Sequence, residues 1–190
     1  VNPRETIYIE APLTRKELKM LHNGDQVQIF GVIYTVRDAA HARMWEAIKQ
    51  GKELPFDPRG QIVFYVGPSP APPGHVIGAA GPTTAGRMDA YTPMLIERGL
   101  RGMIGKGRRS DEVRKAAIKH GCVYFGAVEG TAALLSGCIQ TAEVVAYQDL
   151  GPEAVFRLTV QGFPAIVVND LHRGDLYAEG RNQYQLPWPG

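Results

Sequence analysis

Cysteine is nearly absent from this chain: its 190 residues include two, Cys122 and Cys138. Their separation excludes a C-x-x-C site, and no further cysteine completes a metal set. They read as reduced, partly buried thiols. The chain by itself therefore cannot ligate an iron–sulfur cluster through cysteines, and no metal ligands are assigned to it. An excess of one charge is also lacking. Twenty-one Lys and Arg against 19 Asp and Glu leave a formal +2, too little to argue for nucleic acid or a membrane surface. No apolar run approaches the roughly 20 residues that span a bilayer. Val1-Asn2-Pro3-Arg4-Glu5 has no hydrophobic signal region, so the expected compartment is the cytoplasm. What remains is an ordinary globular balance, 44% hydrophobic and 21% charged, which predicts one domain over residues 1–190 with a real core.

The first third reads as short strands around brief helices. Residues 6–10 alternate as a strand. Thr14-Arg15-Lys16-Glu17 is a capping box, predicting a helix that ends near Asn23-Gly24. Residues 27–36 are of strand type, with Gly31 marking a bulge or a turn. Asp38 is expected to cap a helix over residues 39–50, with Met44, Trp45 and Ile48 as its apolar stripe. Residues 61–66 read as a strand. Residues 67–74, Gly67-Pro68-Ser69-Pro70-Ala71-Pro72-Pro73-Gly74, form a proline-rich linker within the domain, since such a run is neither helix nor central strand.

Beyond the linker the rhythm becomes α/β. Strands are expected at 75–80, 102–105, 123–127, 139–147, 154–160 and 165–168. Helices are expected at 88–98, at 110–120 capped by Ser110 and stopped by Gly121, and at 131–135. Residues after Gly174 show no clear period. The fold class is thus α/β, a single domain with mixed sheets and flanking helices.

Three stretches can carry chemistry. In Gly81-Pro82-Thr83-Thr84-Ala85-Gly86-Arg87-Met88-Asp89 a small-residue loop runs from a strand into a helix. Free N–H groups, two hydroxyls and Arg87 would suit an anionic ligand; alternatively, Thr83 and Thr84 merely cap the helix. Gly105-Lys106-Gly107-Arg108-Arg109-Ser110 is a second glycine-rich basic loop between strand and helix. It is neither a P-loop nor a dinucleotide fingerprint, and it can also be read as a solvated basic turn. In Arg37-Asp38-Ala39-Ala40-His41, Arg37 sits at an element boundary, where sites collect. His41 there suits a structural hydrogen bond better than a catalytic base. Loops at strand C-terminal ends converge on one face of an α/β sheet. Arg37, Arg87 and Lys106 could then line one pocket for a small anion such as a dicarboxylate. Composition and spacing lead to an anionic small-molecule site and no further.

At these residues the chain resembles the beta region of the class I, iron–sulfur-dependent fumarases and L-tartrate dehydratases. The matching pieces are Thr35-Val36-Arg37-Asp38-Ala39-Ala40-His41, the stretch from Gly81 to Asp89, and Lys106-Gly107-Arg108-Arg109-Ser110. Glu129-Gly130-Thr131-Ala132-Ala133 matches more loosely. The resemblance implies a β/β/α swivelling-type domain without a cofactor of its own. Its partner, an alpha subunit, would hold a [4Fe–4S] cluster through three cysteines, in a heterotetramer or larger assembly. It also implies a C4 dicarboxylate substrate and reversible hydration of fumarate to malate. L-tartrate or a methyl-substituted dicarboxylate is the alternative substrate, and a non-catalytic dicarboxylate-binding or assembly module is the alternative role. Carried over by residue, Thr83 matches a proton-transferring threonine, with Lys106 as a substrate-site and catalytic lysine. Arg37 and Arg87 match carboxylate ligands, supported by Asp38, His41, Thr84 and Arg109. Arg108 departs from the Asn common in fumarases, and Gly130-Thr131 from a commoner Gly-Gly or Gly-Pro.

Overall fold

A computed structural model describes residues 5–127 and 132–184. Its strands are β1 (Ile7–Ala11), β2 (Gln26–Thr35), β3 (Ile62–Phe64), β4 (Gly102–Gly105), β5 (Val123–Gly126), β6 (Ile139–Ala146) and β7 (Val155–Asn169). β1 to β5 lie side by side in chain order, each parallel to the next. β7 runs antiparallel to both β5 and β2, which closes β2, β3, β4, β5 and β7 into a ring. One edge of β7 carries β2; the other is shared end to end by β6 and β5.

Side-chain alternation divides the core in two. Ile62, Phe64, Ile104, Val123 and Phe125 join the cluster that includes Ile29, Ile33, Phe163 and Val167. Their neighbours Val63, Met103 and Tyr124 face the other way. They pack with Met44, Leu95, Ile96, Val113 and Ala117 of the flanking helices. Those helices are α2 (Asp38–Lys49), α3 (Thr92–Glu97) and α4 (Asp111–His120). The result is a single α/β domain with a mixed sheet. The proline-rich stretch does not divide it, because β3 before and β4 after pair directly.

Several local expectations hold, and their details are informative. The capping box at Thr14 is present on both sides, but α1 (Arg15–Leu18) ends well before Asn23. Gly31 marks a bulge, not a turn, inside one continuous β2. It sits at φ 90°, and an added Cβ would lie 2.6 Å from the Ala11 carbonyl oxygen. Ser110 caps α4 by accepting from the Val113 N–H, and Gly121 closes it at φ 81°. The cap of α2 is displaced by one residue. Arg37 holds the N-cap position and Asp38 opens the helix, its carboxylate taken up by arginines instead.

Other expectations fail for identifiable reasons. Residues 75–80 form no strand: the backbone folds back on Ser69, which bonds both the N–H and the carbonyl of Ala79. The helix expected over 88–98 is split into a 3-10 turn, Ala85–Met88, and α3. Pro93 lies in the first turn of α3, where its missing N–H is tolerated, and cannot continue a helix from before. The strands expected at 154–160 and 165–168 are one, β7, which tolerates Gly162 and Pro164 beside the bulge facing β2. The helix expected at 131–135 is α5 (Ala132–Gly137), with Thr131 outside the described residues. The aperiodic C-terminal segment forms a helix, α6 (Leu176–Tyr184). Among the described residues no helix is long and apolar enough to cross a membrane.

Candidate active site

Because β2, β3 and β4 are parallel, their C-terminal ends share one edge; β2 leads into the Arg37 stretch, β4 into the Lys106 stretch, and the Thr83 loop returns to the end of β3. The Thr83 loop is wedged between the ends of β3 and β4. Thr83 N–H donates to the Tyr65 carbonyl at 2.7 Å, Lys106 N–H to the Thr83 carbonyl at 3.2 Å, and Ala85 N–H to the Lys106 carbonyl at 2.8 Å. A side chain at Gly105 would meet Tyr65 at 2.9 Å and Ala85 at 3.1 Å, so glycine is what lets the loop approach. Thr83 and Lys106, 23 positions apart, thus become neighbours through the backbone.

Arg37 and Arg87 are joined through Asp38. Arg37 Nε lies 3.3 Å from Asp38 Oδ2, and Arg87 Nε lies 2.9 Å from Asp38 Oδ1. Glu153 adds a second carboxylate, 3.5 Å from Arg37 Nη2, and its other oxygen accepts from the Ala39 N–H. Arg37 is 21% exposed and Arg87 53%. Arg87 gives Nε to Asp38, and a guanidinium's terminal nitrogens form the fork that matches a carboxylate. Arg37 passes so close to Gly67 that an added Cβ would lie 2.6 Å from Nη1.

His41 is fully buried in α2, its Nδ1 3.0 Å from the Arg37 carbonyl. Burial pulls its pKa down to about 4, against the opposing pull of that hydrogen bond. It is therefore neutral, donates from Nδ1 and supports the Arg37 backbone from below.

Arg109 lies away from any ligand-facing surface. It is buried, 2.9 Å from Asp89 Oδ1, and it donates to the Thr92 hydroxyl at 2.7 Å. Its guanidinium stands over the rings of Tyr65 and Tyr124, at 5.1 and 5.4 Å. Asp89 also accepts from the Ser110 N–H at 2.7 Å. The Asp89–Arg109 pair thus ties the Thr83 loop to the Lys106 loop, a supporting role of structural kind.

Thr84 and Lys106 line a cleft of about 430 Å³ with Gly107, Gly126, Ala127, Ile166, Val168, Leu176 and Tyr177. Thr84 precedes the 3-10 turn without making a side-chain cap bond, so capping does not explain its hydroxyl. Arg108 points its Nη2 to the Tyr177 carbonyl at 3.3 Å. Sequence reasoning missed Glu153, Thr92, Tyr124 and Tyr177; Thr92 lies just beyond the Thr83 stretch, the others are distant in sequence, and none carries a local motif. Residues 128–131, which hold most of the looser motif at Glu129, lie outside the described residues.

The cysteines do not suit a cluster. Cys122 is buried among the helix-side core residues, and burial pushes its thiol up to about 12. Cys138 packs against the opposite core and donates to the Leu134 and Gly162 carbonyls. Among the described residues, no group of three or more His, Cys, Asp or Glu could hold a metal ion.

Fold and site together define an α/β domain that presents paired arginines, threonine hydroxyls and a lysine along one edge of parallel strands. The chain belongs to the family described as Fumarase C-terminus, whose model matches residues 2–180. It is 40% identical over 156 residues to fumarate hydratase class I, anaerobic, of Escherichia coli (strain K12), covering 81% of this chain and 28% of that protein. It is 40% identical over 170 residues to mitochondrial fumarate hydratase 1 of Leishmania major, covering 88% and 31%. It is 38% identical over 173 residues to a protein of Methanocaldococcus jannaschii provisionally named L(+)-tartrate dehydratase subunit beta. That match covers 88% of this chain and 89% of the relative. The chain therefore spans less than a third of these two fumarate hydratases and most of the tartrate dehydratase subunit.

Proposed function

We propose that this chain is the beta subunit of a two-subunit hydro-lyase that interconverts fumarate and malate in the cytoplasm. The observation that carries the reading is the joining of Arg37 and Arg87 through Asp38 at the strand edge that also holds Thr83 and Lys106. The match to nearly the full length of a separate beta subunit supports the two-chain form. The closed strand ring with α2, α3 and α4 packed on one face supports reading the fold as a swivelling-type domain.

Two cysteines, one of them buried, do not fit a [4Fe–4S] cluster; in this reading an alpha subunit supplies it, in a heterotetramer or larger assembly. This chain's part is to bind and to move a proton. Arg37 and Arg87 hold the substrate carboxylates through paired N–H groups. Proton removal beside one carboxylate builds negative charge there, and the guanidinium groups and Lys106 oppose that charge. Thr83 is the proton carrier. A hydroxyl is a weak base, and neighbouring cations are what lower the cost of its ionised form.

The test is reconstitution with a cluster-bearing partner, followed by kinetics on fumarate, malate and tartrate. Each lost guanidinium removes charge-assisted hydrogen bonds worth roughly 1.5–3 kcal/mol. Arg37→Met and Arg87→Met should therefore weaken binding of a non-reacting dicarboxylate by about 10- to 150-fold and slow turnover. Lysine should restore little, because it cannot bind bidentately. Native kinetics in both variants would remove the arginines from substrate binding. Turnover of tartrate far above that of fumarate would select the tartrate dehydratase reading, which the similarity to the Methanocaldococcus jannaschii subunit favours.

A further inference from the structure

The C-terminal helix α6, invisible to sequence periodicity, reaches the site through one side chain. Gly107 follows Lys106 and sits at φ 80°, in the left-handed region. Both of its backbone polar groups are held by tyrosines. Its N–H donates to the Tyr177 hydroxyl at 3.1 Å, and its carbonyl accepts from the Tyr124 hydroxyl at 2.9 Å. Tyr124 comes from the buried face of β5, whereas Tyr177 stands on α6 at the rim of the cleft. α6 is itself anchored. Asp175 caps it by accepting from the Tyr177 and Ala178 N–H groups, and its other oxygen pairs with Arg114 of α4 at 3.2 Å. Arg108 adds a bond to the Tyr177 carbonyl.

A glycine at positive φ has the broadest choice of backbone angles of any residue. The Lys106 N–H and carbonyl are held by Thr83 and Ala85 on one side, which leaves the turn at Gly107 as the movable joint after Lys106. With both peptide groups of Gly107 held as well, Lys106 is braced from its C-terminal side in addition to the Thr83 loop. We propose that Tyr177 is a positioning residue for Lys106, acting with Tyr124 to clamp the Gly107 backbone. The role of Lys106 in turnover rests on the function proposed above; the clamp itself does not.

Tyr177→Phe removes one acceptor and leaves the ring in place. In the full chain, the Gly107 amide should exchange with solvent several-fold faster, and NMR relaxation should report a lower order parameter at Lys106 Cε. In the assembled enzyme, kcat should fall by about 5- to 20-fold with little change in the thermal midpoint. The loss should vanish in a Lys106→Ala background, because a residue acting through Lys106 has nothing left to position. Unchanged Lys106 order would overturn the proposal whether or not the complex turns over fumarate. An equal kinetic loss in both backgrounds would also overturn it, since Tyr177 would then act on substrate directly. Absence of any hydro-lyase activity in the wild-type complex would sink the functional reading alone, leaving the NMR result to decide the clamp.

Discussion

At the scale of single residues, Thr83 and Thr84 illustrate how adjacent side chains of one chemistry separate. Thr83 is clamped by backbone bonds on both sides, to Tyr65 and to Lys106, while Thr84 is exposed beside the cleft. If Thr83 carries the proton, Thr83→Val should lower kcat by roughly 10²–10⁴-fold, with binding of a non-reacting dicarboxylate little changed. Thr84→Val loses no cap bond, so its stability should move by less than about 0.5 kcal/mol. Steady-state kinetics and inhibitor binding on both variants decide the point; equal mild effects would take Thr83 out of the chemistry. His41 makes a second residue-scale prediction. Its folded pKa of about 4 lies below the free value of 6.5. Between those values the unfolded chain binds the proton that the folded chain refuses. Stability from this group is complete above pH 6.5 and falls as pH drops toward 4, by on the order of 3 kcal/mol at the lower end. Chemical denaturation at pH 7 and pH 4.5 should show that loss, and a His41→Phe variant that folds should not share it.

At the scale of elements, short loops carry the site and glycines let them meet. Gly67 is the sharpest case, because a methyl group there would strike the terminal atoms of Arg37 and not the backbone. Gly67→Ala should therefore leave the fold nearly as stable, displace Arg37 and raise KM several-fold. A melting curve and substrate titration together would check it; an unchanged KM would mean that Arg37 does not face the substrate. Ser110 lies at the other end of the same edge. Its hydroxyl caps α4, and Ser110→Ala should cost about 1 kcal/mol, measured by denaturant unfolding. The spacing of caps and stops made α4 readable in advance. The split of α3 from its preceding turn depended on Pro93. The reach of β7 through Gly162 and Pro164 depended on β2 and β5 lying ready to pair with it.

At the scale of the whole molecule, the domain is a ring of strands with α2, α3 and α4 packed on one core and β1, α1 and α5 on the other. If the proposed two-chain form is right, the chain alone should be colourless and inactive, and activity should appear only on assembly. Absorbance and hydration assays on the isolated chain and the complex test this. Stoichiometric iron with hydratase activity in the isolated chain would end the proposed division of labour.

The α/β class, the three loops and the basic and hydroxyl side chains in them were legible in the sequence, because each depends on neighbours a few positions away. Strand alternation, glycine at a turn and serine before a helix act locally, and residue spacing records them. The ion-pair partners were not legible. That Asp38 joins Arg37 to Arg87, that Glu153 meets Arg37, and that Arg109 serves Asp89 and Thr92 from inside the core follow from which strands pair. Likewise, α6 is too short and too weakly periodic to announce itself, and its tyrosine reaches Gly107 across 70 residues. Contacts of that separation leave no period in the chain; closure of the β2–β7–β5 ring decides them, because it brings distant loops to the same edge.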